Sequence, residues 1–170
     1  MKVLVSGGSR GIGAAVCIRI AEAALSRGES PKIAVCGRES SEPQEEVARS
    51  VRALGGDAIA LSGDLSDVDA AAKLVDAAVS EFGGLDALVA NAGVASPGKI
   101  CDLSVAEWDK MFEVNLRGPW LLAKSCYPHL KKSRGAACFT SSMSGQVPHA
   151  GSGAYSPTKA ALTMLAQPSP

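Results

Sequence analysis

Tyr155 and Lys159 stand four residues apart in the run Gly153-Ala154-Tyr155-Ser156-Pro157-Thr158-Lys159. Residues at i and i+4 share one face of a helix. An ordinary tyrosine ionises near pH ~10, and a fixed ammonium beside it favours the phenolate. Such a pair could give or take a proton near neutrality. The spacing alone is common in helices, so its companions matter. Ser142 lies thirteen residues before Tyr155, and a glycine-rich run, Ser6-Gly7-Gly8-Ser9-Arg10-Gly11-Ile12-Gly13, opens the chain. A serine hydroxyl can steady an oxygen that gains negative charge.

The glycine run sits between an apolar strand, Lys2 to Ser6, and a helix from about Ile12 to Arg27. Glycines there permit a tight turn and close approach of a pyrophosphate. A helix N-terminus adds free N–H groups and a positive dipole end. The spacing Gly7-x-x-x-Gly11-x-Gly13 differs from the usual Gly-x-Gly-x-x-Gly of dinucleotide sites. A plain glycine turn is the alternative; the strand-turn-helix context favours a nucleotide.

The elements that must carry these residues alternate along the chain. Strands are expected at 32–36, 58–61, 85–90 and 135–140 after the first. Helices are expected at about 43–54, 67–82, 104–131 and from 154 to before Pro168. Val47, Val51 and Leu54 form one apolar stripe; Val68, Leu74, Val75 and Val79 form another. Ser41 with Gln44, and Ser104 with Glu107, have capping-box spacing. Pro119 should bend or interrupt the long helix. Alternating strands and helices imply a parallel sheet covered on both faces, a doubly wound α/β fold. No linker or repeat divides the chain, so residues 1–170 are expected to form a single domain.

Composition narrows the function classes. Lys plus Arg and Asp plus Glu both number 17, so the formal net charge is zero. That argues against binding nucleic acid by bulk electrostatics. No apolar run reaches membrane-span length. Met1-Lys2 leads straight into a strand, leaving no room for a leader, and a cytoplasmic location is expected. Cys17, Cys36, Cys101, Cys126 and Cys138 form no Cys-x-x-Cys pair, and most should be small buried residues. His129 and His149 show no ligand spacing, so no metal is expected. For Trp108, Trp120 and Met143 the core is the expected place.

Several motifs in order make the chain resemble the short-chain dehydrogenases/reductases. They are the glycine turn, Gly63-Asp64-Leu65 after strand three, Asn91-Ala92-Gly93 after strand four, Asn115 in the long helix, Ser141-Ser142 after strand five, and Tyr155 with Lys159. The resemblance implies a Rossmann-like sheet in the order 3-2-1-4-5. It implies hydride transfer between a nicotinamide cofactor and a small-molecule carbonyl or secondary alcohol. Tyr155 would be the general acid or base, and Lys159 would assist it and hold the nicotinamide ribose. Ser142 would hold the substrate oxygen, and the Asn115 carbonyl would hold a relay water. Gly7, Ser9, Arg10, Gly11, Ile12 and Gly13 would cradle the cofactor. Asp64 and Leu65 would meet the adenine, and Asn91, Ala92 and Gly93 would leave it room. A 2′-phosphate would fall to Arg38 and Arg10, since strand two ends without an acid at its tip. NADP is therefore expected, with NAD possible if Glu39 turns to the ribose.

Family members commonly pair through the long helix and the helix bearing Tyr and Lys, so a homo-oligomer is implied. They also extend beyond the point where this sequence ends, at Gln167-Pro168-Ser169-Pro170. Their last two strands are missing here, which makes a C-terminally truncated member the expectation. The competing reading is a truncated, non-catalytic dinucleotide-binding or dimerisation module.

Overall fold

A computed structural model describes residues 1–39, 42–147 and 150–167. Five strands, β1 (Lys2–Ser6), β2 (Lys32–Gly37), β3 (Asp57–Ser62), β4 (Ala87–Ala90) and β5 (Ala136–Phe139), form one sheet in the order β3-β2-β1-β4-β5. Every pairing is parallel. The connecting helices are α1 (Gly11–Ser26), α2 (Glu42–Ala53), α3 (Ala70–Phe82), α4 (Val105–Phe112), α5 (Gly118–Ser133) and α6 (Tyr155–Leu165).

Period-two alternation of the strands sorts the core into two layers. Val3, Val5, Ile33 and Val35 face one side with Cys17 and Ala21 of α1 and Ala48 and Val51 of α2. Leu4, Ala34, Cys36 and Leu88 face the other with Leu74, Val75 and Phe82 of α3 and Leu122, Cys126 and Leu130 of α5. Helices thus cover both faces, the doubly wound arrangement that the sequence implies. Buried alanines such as Ala21, Ala24, Ala71 and Ala78 let the helices lie close to the sheet. Burial pushes the thiols of Cys17 and Cys126 up to about 12, so they stay protonated. Cys101 and Cys138 are exposed, unlike the buried Cys17, Cys36 and Cys126.

Several local expectations need correction. The helix expected from 67 begins at Ala70, because Asp67 Oδ1 accepts from the Asp69 N–H in a turn of its own. Val68 precedes the helix and is exposed, so it leaves the apolar stripe. Trp120 and Met143 are exposed at 46% and 76%. Trp108 is half-buried and stacks on Phe112, 4.7 Å between ring centres. None of the three is core. Ser41 of the first expected capping box lies outside the described residues, as do His149 and Pro168. The second box is present: Ser104 Oγ accepts from Glu107 N, and the Glu107 carboxylate accepts from Ser104 N.

The expected long helix is two helices joined by a π turn, Glu113–Arg117. Pro119 supplies a reason. It has no N–H, so the carbonyl four residues earlier, that of Asn115, has no α-helical donor. Gly118 N donates to Glu113 O, five residues back, and the turn widens.

Candidate functional site

The strand tips of β1, β2, β3 and β4 open into a cleft of about 600 Å³. Ligands of open α/β sheets bind at this end, where strand order reverses. Gly7, Ser9, Arg10, Gly11, Ile12, Arg38, Asp64, Leu65, Asn91, Ala92 and Gly93 all line it. Gly13 lies beneath instead. A Cβ there would sit 2.0 Å from the Gly7 carbonyl oxygen, so only glycine lets α1 rise this close to the turn.

The turn is fixed from β1 and β4. Ser6 Oγ accepts from the N–H groups of Asn91 and Ala92, each at 3.1 Å. The Asn91 side chain donates to Gly7 O at 3.1 Å. The first turn of α1 has no side-chain cap and no acidic residue. Its N–H groups are open to an anion. An uncapped helix end, a glycine cradle and arginines at the rim fit a pyrophosphate-bearing dinucleotide, and the volume is ample.

At the outer rim, Arg38 is bound to its neighbour. Its Nε and a terminal nitrogen lie 3.0 and 2.8 Å from Glu39 Oε1, with both side chains largely exposed. Asp64 Oδ1 accepts from Ser66 N at 2.9 Å and Ser66 Oγ at 2.7 Å. Lys110 Nζ lies 3.4 Å from Asp64 Oδ2. Partial burial raises the Asp64 pKa, but the bonds from Ser66 and Lys110 outweigh it and hold the carboxyl below its ordinary range. Asp64 and Ser66 bond each other in the turn after β3, and neither caps α3. Leu65 is buried and packs under Gly118.

Sequence reasoning passed over Lys110 in this cleft and read Gln44 only as half of a capping box with Ser41. Lys110 lines it opposite Asp64. Gln44, 2% exposed, donates from Nε2 to Leu61 O at 2.6 Å and fills the space beside Gly37. Lys110 lies five residues before Asn115, too far in sequence from Asp64 for any spacing rule to join them.

A second group of residues adjoins the inner end of the cleft. Lys159 Nζ lies over the Tyr155 ring, 5.7 Å from its centre, so the two share a face of α6. The amine donates to Thr140 O at 2.7 Å. Lys159 is 4% exposed, and burial lowers its pKa. A Cβ on Gly93 would come 3.6 Å from Lys159 Nζ and 3.4 Å from Asn115 Oδ1. The cleft wall therefore touches this group at a residue without a side chain. Asn115 is wholly buried; its amide accepts from Val94 N and donates to Val94 O, both at 2.8 Å. Ser142 Oγ accepts from Ser144 N at 3.2 Å. Ser141 Oγ is engaged with Lys159 O and Thr163 Oγ1.

Among the described residues, no cluster of His, Cys, Asp and Glu could hold a metal ion. None of their helices is long and apolar enough to cross a membrane.

The model of the family described as short chain dehydrogenase matches residues 1–168. The chain is 38% identical to versicolorin reductase of Emericella nidulans over 85% of its own length and 52% of that protein's. It is 39% identical to elsinochrome reductase 1 of Elsinoe fawcettii over 84% of its own length and 51% of that protein's. It thus spans about half the length of these relatives. A short chain dehydrogenase from Burkholderia cenocepacia, solved in complex with NADP, superposes with TM-score 0.87 at 36% identity. That match covers 96% of this chain and 64% of the other. A Serratia marcescens short-chain dehydrogenase/reductase gives 0.85 at 35% identity, over 96% and 64%. A glycine cradle at the strand tips, a Tyr-Lys pair at its inner end and a family match along nearly the whole sequence lead to one statement: this chain belongs to the short chain dehydrogenase family.

Proposed function

We propose that the chain binds NADP(H) in the cleft and reduces a carbonyl, or oxidises a secondary alcohol, with Tyr155 as the proton donor or acceptor. The observation that carries this reading is the contact at Gly93, where the cleft reaches the amine that lies over the Tyr155 ring. The reductase names of the fungal relatives and the NADP in the Burkholderia structure support it.

The open N–H groups of α1 and the turn Gly7 to Gly13 hold the pyrophosphate. Arg10 and Arg38 meet the 2′-phosphate, for which Arg38 exchanges its Glu39 partner. Asp64 and Leu65 flank the adenine. Bound there, the nicotinamide supplies hydride to the carbonyl carbon, or accepts it from the alcohol. As the carbonyl electron pair moves to oxygen, Tyr155 gives that oxygen its proton. Lys159 stabilises the phenolate left behind. Ser142 accepts from Ser144 N, which leaves its own proton free for the substrate oxygen; Ser141 is tied elsewhere. The Asn115 carbonyl, deprived of an i+4 donor by Pro119, is available to a water leading toward Lys159. Two copies pair through α5 and α6, whose exposed Trp120 and Met164 offer apolar area.

The test mixes the purified chain with NADPH and a panel of ketones and follows nicotinamide absorbance. Turnover that falls at least ~10²-fold in Tyr155→Phe bears out the reading. Enhanced NADPH fluorescence without turnover identifies a binding module instead.

A further inference from the structure

Thr158 lies between the residues to which chemistry is assigned. It is completely buried, and its hydroxyl is engaged in both senses. Oγ1 donates to the Tyr155 carbonyl at 2.7 Å and accepts from Asn115 Nδ2 at 3.1 Å. A hydroxyl has one proton and two lone pairs, so both bonds form at once. The same Asn115 amide is fixed to Val94 on both of its polar atoms. One buried link therefore joins the loop after β4, the π turn and the first turn of α6. Ala154, at the head of α6, offers no side-chain cap, so this link is a side-chain bond that ties the first turn to another element. Farther along, α6 is pressed by Gly145, where a Cβ would come 2.8 Å from the Lys159 backbone. That contact limits translation of α6; the Thr158 link sets how its first turn is rotated.

We infer that Thr158 is a positioning residue: on the oxidoreductase reading above, its hydroxyl ties Tyr155 to Asn115 and so fixes how the phenol meets Lys159. Valine has nearly the same shape and breaks both bonds, leaving one Asn115 N–H with no acceptor in a buried place. Serine keeps both.

The chain has only two tyrosines, and Tyr127 is 62% exposed. Tyr127→Phe therefore leaves Tyr155 as the sole phenol. With ¹³C-labelled tyrosine, the Cζ resonance of the ligand-free protein is recorded at one pH. Thr158→Val and Thr158→Ala should displace it by more than its linewidth, as the amine leaves its place over the ring. Thr158→Ser should keep the parent position. This readout needs neither cofactor nor turnover. A displaced resonance in a chain that reduces no ketone would sink the proposed activity and leave the tether standing. A parent-like resonance in folded Thr158→Val overturns the tether, and so does an equal displacement in Thr158→Ser. If Thr158→Val and Thr158→Ala both lose the cooperative melt, the hydroxyl serves the fold rather than the aim of Tyr155, which also overturns it.

Discussion

Lys159 shows how burial and function press on one side chain. A lysine is rarely so enclosed, because the charged ammonium loses its water. Here a backbone carbonyl, Thr140 O, is the partner, not a carboxylate. Burial lowers the folded-state pKa below the ordinary lysine value of about 10.4. Below the folded value both states carry the proton, and the folded state bears the full desolvation cost. Between the folded and unfolded values the unfolded chain holds a proton that the folded one has released. Stability therefore rises with pH across that window. Lys159→Met lacks this slope. Urea midpoints of parent and Lys159→Met, compared from pH 8 to pH 10.5, should show the parent gaining on the variant. A constant difference would mean that the amine is hydrated in the folded state.

The elements were legible wherever one local rule decided them. Ser104 and Glu107 announce the start of α4, and each bond of that box is present. Alanine at position 104 removes the oxygen that accepts from Glu107 N. Ser104→Ala should cost ~1 kcal/mol in chemical denaturation, with the m-value unchanged. The Ser104 hydroxyl, first among the Glu107 partners, helps hold that carboxyl below its ordinary range. The cap is therefore at full strength above the unfolded glutamate value and is lost as pH falls through the folded one. Elsewhere a competing local turn or a long-range contact decided the outcome, and spacing alone could not show which. The start of α3 moved because Asp67 made its own turn. The π turn follows from Pro119, but its depth was hidden, since a proline can also end a helix. The cleft glycines and the Tyr-Lys pair could be placed because local spacing alone sets where they lie. Lys110 against Asp64, Gln44 against β3 and Thr158 against Asn115 could not, because each joins elements far apart in sequence.

Taken whole, the sheet has two ends that differ. Helix α2 packs against β3 at one end, where its Gln44 bonds the strand. At the other end, among the described residues, β5 pairs only with β4, and Ala136, Ala137 and Cys138 are exposed. A parallel strand normally lies buried on both faces. An uncovered edge presents unpaired N–H and C=O groups to any second strand. A net charge of zero gives little repulsion between copies. These two properties together predict that the 170-residue chain associates as its concentration rises. Ala137→Lys places a charge on the open strand, a device that natural edges use. It should lower the scattering-derived mass toward that of the 17.3 kDa monomer. Trp120→Glu tests the other route, through α5. If Trp120→Glu dissociates the assembly while Ala137→Lys leaves it intact, the helices carry the contact and β5 does not. Loss of association in Ala137→Lys alone assigns it to the strand edge, and a monomer at every concentration refutes both.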